Sequence, residues 1–296
     1  WAFEFFNRWY PDVDDSAVVV MALDCVRLLP AEEESVKRSA VGRAIEWIAS
    51  MQCKAGGWGA FDKDSDQGWL NAMPFGDLKA MIDPNTADVT ARVVEMVGQL
   101  RLSSKENLAL LPPREVLERG IEYLRREQER EGCWFGRWGV NYIYGTSGAM
   151  AALALIGGTE CEDQLARAAK WLVKVQNKKD GGWGETCLTY RPYLRTVKKG
   201  RMDGDEAEGS TASQTAWAVM GLISAGQALG RYEREAIERG VGFLLRTQRG
   251  DGSWCERSFT GTGFPGHFYL RYHYYAQHFP LTALSRYRSA CLRYPS

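Results

Sequence analysis

The sequence predicts an all-α fold, an (α/α)6 barrel of two concentric helix rings. Three observations carry this: a fourfold internal repeat, an alternation of two kinds of helical segment, and a near absence of strand patterns. Each repeat copy has a basic residue, an amphipathic helix bearing an aromatic, a Gln, a short polar turn, then Gly and Trp. The copies run from Arg43 through Trp47 and Gln52 to Gly57-Trp58; from Arg119 through Tyr123 and Gln128 to Trp134; from Arg167 through Trp171 and Gln176 to Gly182-Trp183; and from Arg239 through Phe243 and Gln248 to Trp254. Taken singly, the pattern reads as a helix C-cap with a Trp folded back over the last turn. Taken four times, it staples neighbouring turns together, a structural role.

Between the copies lie apolar helices rich in small residues, at 16–28, 87–100, 144–156 and 210–222, with a fifth within 281–292. Amphipathic helices bury one face and belong to an outer ring, whereas helices apolar all round are buried on both sides and belong to an inner one. Pro11, Pro84 and Pro113 precede or open helices, and the Gly and Asp residues of each turn supply helix-ending conformations. The repeat phase is already half finished at Trp1. A chain that begins mid-protein is therefore expected: an incomplete barrel over 1–296, short of about one helix pair, with a second barrel domain absent.

Lys+Arg and Asp+Glu number 37 each, so no net field draws the chain to nucleic acid. Seven cysteines form no CxxC pair and fall mostly in helical patterns, which predicts buried thiols in a reducing compartment and no disulfide framework. The longest apolar stretch, around 149–156, is too short to span a bilayer, and there is no signal-peptide pattern.

Two stretches stand out chemically. Asp12, Asp14 and Asp15 crowd into four residues beside Pro11, where a helix opens. Adjacent like charges cannot all ionise, so the cluster retains at least one proton, while the positive end of the helix stabilises the anion left after its transfer. An acidic N-terminal cap is the plainer reading. The second stretch, 264–275, reads Phe-Pro-Gly-His-Phe-Tyr-Leu-Arg-Tyr-His-Tyr-Tyr and is far too aromatic for an ordinary loop. Aromatic faces attract a cation without offering a nucleophilic lone pair in line; the plainer reading is a plug of core packing.

The repeat resembles the QW motif of squalene-hopene and oxidosqualene cyclases. The stretch from Tyr10 to Val19 is similar to the DxDD acid motif of this family, and Gly136 to Thr146, Ser213 to Trp217, Gly261 to Gly266 and Phe268 to Tyr272 are similar to squalene-hopene cyclase segments, in family order. Asp12-Val-Asp-Asp-Ser16 stands where the oxidosqualene branch has an Asp-Cys-Thr-Ala-Glu type motif, which favours the non-epoxide branch. The resemblance implies a class II triterpene cyclase with Asp14 as proton donor, Asp12 and Asp15 as supporting carboxylates, and Arg92 where the family often pairs a His with the donor. An Arg there stabilises the conjugate base but cannot deliver a proton. The resemblance places Phe264, Phe268, Leu270, Tyr272, Tyr275, Trp138 and Tyr144 in the substrate cavity, with Phe3 near the acid end and Phe61 where the family commonly has Tyr. Gly76 and His267 depart from the family pattern.

By the same resemblance no metal or organic cofactor is needed, the partners are a hydrophobic polyprene such as squalene and a membrane surface, a homodimer is compatible, and the enzyme sits peripherally on the cytoplasmic side. Two rivals share the architecture. A prenyltransferase-like subunit would hold zinc with Asp, Cys and His, but the three histidines, 267, 273 and 278, have no Cys at ligand spacing. A non-catalytic α/α-barrel binding module would not need the acid cluster beside a wall of rings.

Overall fold

In the computed structural model, which describes residues 1–4, 7–27, 30–191 and 209–293, the chain is mostly helical. Nine α-helices are seen among the described residues: α1 Val13–Cys25, α2 Ala31–Ser50, α3 Ala87–Ser103, α4 Arg114–Glu127, α5 Tyr142–Ile156, α6 Glu162–Val175, α7 Ala212–Leu229, α8 Arg234–Thr247 and α9 Tyr275–Arg293. A two-stranded antiparallel hairpin, β1 Gly261–Phe264 and β2 Phe268–Leu270, precedes α9. The chain divides into two compact units, residues 1–127 with 155–157, and 128–154 with 158–296.

In the first unit α1 packs on α2 and α3, and α3 packs on α4. α3 is buried along most of its surface, from Ala87 through Met96 to Leu100, and leaves a half-buried polar stripe of Arg92, Glu95 and Gln99. α1 differs: it buries one stripe, Val13, Ser16, Ala17, Val20 and Asp24, and shows Val18 and Ala22 outward. In the second unit α7, nearly all of it buried to Gly226, packs on α6, α8 and α9.

The repeat residues make recurring bonds, most completely in the first three copies. Gln52 Nε2 donates to Gly56 O and across to Val116 O, both at 2.8 Å; Gln128 donates to Gly132 O and Gln164 O, and Gln176 to Gly181 O and Ala236 O. Each of these three Gln side chains thus closes its own turn and adds a second hydrogen bond to a carbonyl in the first turn of the next repeat helix. The indoles of Trp58, Trp183 and Trp254 donate to Ile48 O, Leu172 O and Leu244 O, in the last turn of the preceding helix. The backbone N–H groups of Trp58, Trp134 and Trp183 donate to Thr90, Thr146 and Thr215, one on each of α3, α5 and α7. These paired donors fix the height of each inner helix against its turn.

Two expectations are corrected, the start of the last helix and the burial of the cysteines. The last helix starts at Tyr275, well before 281, and carries Pro280 inside it; residues 261–270 form the hairpin, turned at Gly266 with φ +87°. Pro11 precedes α1 as expected, directly ahead of the N-cap Asp12. The cysteines are free thiols, but Cys25, Cys255 and Cys291 are exposed, and Cys53, Cys133 and Cys255 sit in repeat turns. The Gln follows the repeat helix and leaves helical geometry, as Gln176 and Gln248 do.

Candidate active site

The acid cluster is built at the start of α1, in the first unit. Asp12 is the N-cap: its Oδ1 accepts from Asp15 N at 2.9 Å, and its side chain lies in a residue only 6% exposed. Burial, with the Asp15 and Asp14 charges adding to it against the backbone hydrogen bond from Asp15, pushes the Asp12 carboxyl up to about 7. Asp15 is also raised, by burial and then by Asp14. Arg92, from the first turns of α3, donates from Nε to Asp14 Oδ1 at 3.1 Å and from Nη1 to Glu95 Oε2 at 3.1 Å. One helix start therefore holds a buried Asp12 whose protonated form is favoured by burial, beside an Asp14 that accepts a hydrogen bond from the Arg92 guanidinium.

Phe61 lies beside this helix start: Val13 N donates to Ala60 O at 2.8 Å, and Asp83 Oδ2 accepts from Phe61 N and Asp62 N at 2.6 and 2.9 Å. Phe3 belongs to the segment that Asp12 N joins through Trp1 O, but its ring is 62% exposed.

The aromatic residues come together in the second unit. The loop before α5 pairs with β1: Val140 N donates to Thr260 O at 2.9 Å, and Thr262 N to Trp138 O at 3.0 Å. This pairing sets Trp138 and Tyr144 on one side of the hairpin that bears Phe264, Phe268 and Leu270. The rings of Tyr272 and Tyr275 lie 4.7 Å apart, tilted by 33°, and Trp217 of α7 meets Tyr144, Tyr275 and Phe279 at 4.9, 5.9 and 5.3 Å. Glycines make room for the rings. A Cβ on Gly139 would lie 2.3 Å from the Tyr144 ring, one on Gly261 2.5 Å from Tyr272, and one on Gly263 2.6 Å from Phe268.

Several supports are not foreseen from sequence. Glu185 Oε2 accepts from Ile143 N at 3.0 Å and so caps α5; Glu256 caps α7 through Ser213 N and Oγ, and burial raises its carboxyl. The signal available is that each stands two residues after a repeat Trp. Arg137 lies over Trp138 with its guanidinium 4.2 Å from the ring centroid. Among the described residues no group of three or more His, Cys, Asp or Glu is placed to hold a metal ion, and no helix is long and apolar enough to cross a membrane.

Comparison with known proteins adds to this geometry. The family model for the squalene-hopene cyclase C-terminal domain matches residues 1–289. The chain is 59% identical over 298 residues to a dammaradiene synthase of Dryopteris crassirhizoma, covering 97% of this chain and 42% of that protein. It is 45% identical over 291 residues to a squalene-hopene cyclase of Bradyrhizobium diazoefficiens, covering 98% and 40%. The chain thus spans about two fifths of the length of these relatives. Its fold is that of the type II terpene cyclase MstE from Scytonema, solved with merosterolic acid A (TM-score 0.62, 16% identity, 98% of this chain and 76% of that one).

Proposed function

We propose, because this chain belongs to the squalene-hopene cyclase family, that residues 1–296 are the C-terminal α/α-barrel part of a class II triterpene cyclase with four QW repeats and a DxDD acid motif. The reaction is acid-initiated cyclisation of squalene, or a related linear polyprene, to polycyclic triterpenes of the hopene or hopanol type. The observation that carries the reading is the start of α1, where three carboxyl groups crowd together and the one named as donor faces a guanidinium.

Asp14 gives its proton to a terminal alkene carbon: an O–H bond breaks, a C–H bond forms, and the adjacent carbon becomes a carbocation. Arg92 and the N-terminus of α1 stabilise the carboxylate that remains. Burial raises the Asp12 carboxyl, and the crowding of Asp12, Asp14 and Asp15 favours a cluster that retains a proton among the three, the proton that Asp14 delivers. Each following ring closure spends one alkene's π pair on a new C–C bond and passes the charge along the chain. By resemblance to the family, Phe3 and Phe61 are the substrate-contacting residues of the first unit, and Trp138, Tyr144, Phe264, Phe268, Leu270, Tyr272 and Tyr275 those of the second. Each ring facing the charge contributes about 0.5–2 kcal/mol. Loss of a proton, or capture of water, ends the sequence.

The 59% identity to a dammaradiene synthase, against 45% to a squalene-hopene cyclase, favours a second reading in which the same mechanism stops at a dammaradiene-type product. As the substrate dissolves in lipid, we place the enzyme on a membrane surface. The complete protein incubated with squalene should yield polycyclic triterpenes, and Asp14→Asn should lower the yield by roughly 10³-fold or more. Equal turnover by Asp14→Asn would overturn the assignment.

A further inference from the structure

Arg137 is a charged side chain only 9% exposed, and nothing in the reaction just described uses it. Withdrawing a guanidinium from water is costly unless its surroundings match its plane and its donors. Here they do. The guanidinium carbon lies 4.2 Å from the centroid of the Trp138 ring and 5.6 Å from that of Phe264, and Nη1 donates to Gly263 O at 2.6 Å. That carbonyl belongs to β1, the strand whose pairing with residues 138–140 joins the two segments of the ring wall. A methionine could fill the space beside Trp138, but it could neither hold the Gly263 carbonyl nor stack a flat cation on the indole.

From this we propose that Arg137 is a positioning residue that governs product specificity, clamping Trp138 to β1 so that one indole face is covered and only the other is left for substrate. The proposal rests on the cyclase reading above. With the clamp removed, Trp138 and Phe264 turn more freely, and a carbocation that relies on their fixed placement loses its proton before the last ring closes. Initiation at Asp14 does not involve the clamp.

Two measurements on the complete protein test it. In the first, Arg137→Met and Arg137→Lys are incubated with squalene and the lipids resolved. The share of incompletely cyclised products should rise at least fivefold in both while squalene consumption stays within tenfold; a merely structural role would lower consumption and leave the product ratio alone. Arg137→Lys keeps the charge but not the plane and carries the test if Arg137→Met does not fold. In the second, a thermal-unfolding cycle of Arg137→Lys, Trp138→Leu and the double variant should show a smaller Tm loss in the double variant than the sum of the single losses. An unchanged product ratio, or strictly additive Tm losses, overturns the proposal. A complete unsubstituted protein without squalene turnover overturns the cyclase reading instead, and the unfolding cycle then decides the clamp alone.

Discussion

Asp12 shows how one residue can serve architecture and chemistry together. As N-cap it closes the first turn of α1, and burial raises its carboxyl to about 7 from a reference value of 3.8. Between those values the folded chain holds a proton that the unfolded chain has released, so stability falls as pH rises from about 4 to about 7. Asp15 and Glu256, also raised, act in the same direction. Asp12→Asn keeps a capping oxygen but cannot ionise. It should flatten that fall, read from urea midpoints across pH 4–7; an unchanged slope would contradict the raised carboxyl. The indoles offer a second contrast. Trp183 donates to Leu172 O, whereas Trp217 Nε1 is buried with no acceptor among the described residues. Trp183→Phe should therefore cost roughly 3 kcal/mol, through an orphaned carbonyl and a lost ring, and Trp217→Phe about 1. Denaturant melts of the two variants check the order.

At the scale of elements, legibility in the sequence followed the strength of the local pattern. The repeat helices were readable because Gln, Gly and Trp recur in order at nearly constant offsets, and the structure gives those residues recurring bonds, such as Gln52 to Val116 O and Gln176 to Ala236 O. The hairpin was not readable. Its strands are four and three residues long, and its aromatic run hides the point after Tyr274 where strand and turn give way to α9. Its register nonetheless places Gly261 against the Tyr272 ring and Gly263 against Phe268. Gly261→Ala should displace Tyr272, lower stability by about 1–3 kcal/mol, and change the product mixture. A variant with wild-type melting and products would show that the close approach does not position the ring.

For the molecule as a whole, the fourfold repeat, the alternating helix types and the near absence of strand patterns predict the all-α class. The pairing of Arg92 with Asp14 was suggested by resemblance, while Glu95 on the same guanidinium and Arg137 over Trp138 were not, because side chains far apart in sequence leave no periodic trace. The central claim is that a carboxyl at the start of α1 puts a proton on carbon. Squalene turnover by the complete protein in deuterium oxide, followed by mass spectrometry of the product, tests it most directly. Each product molecule should carry one solvent-derived deuterium on carbon, and the labelled product should vanish in Asp14→Asn. Polycyclic product without carbon-bound deuterium, or the same label in Asp14→Asn, would contradict it.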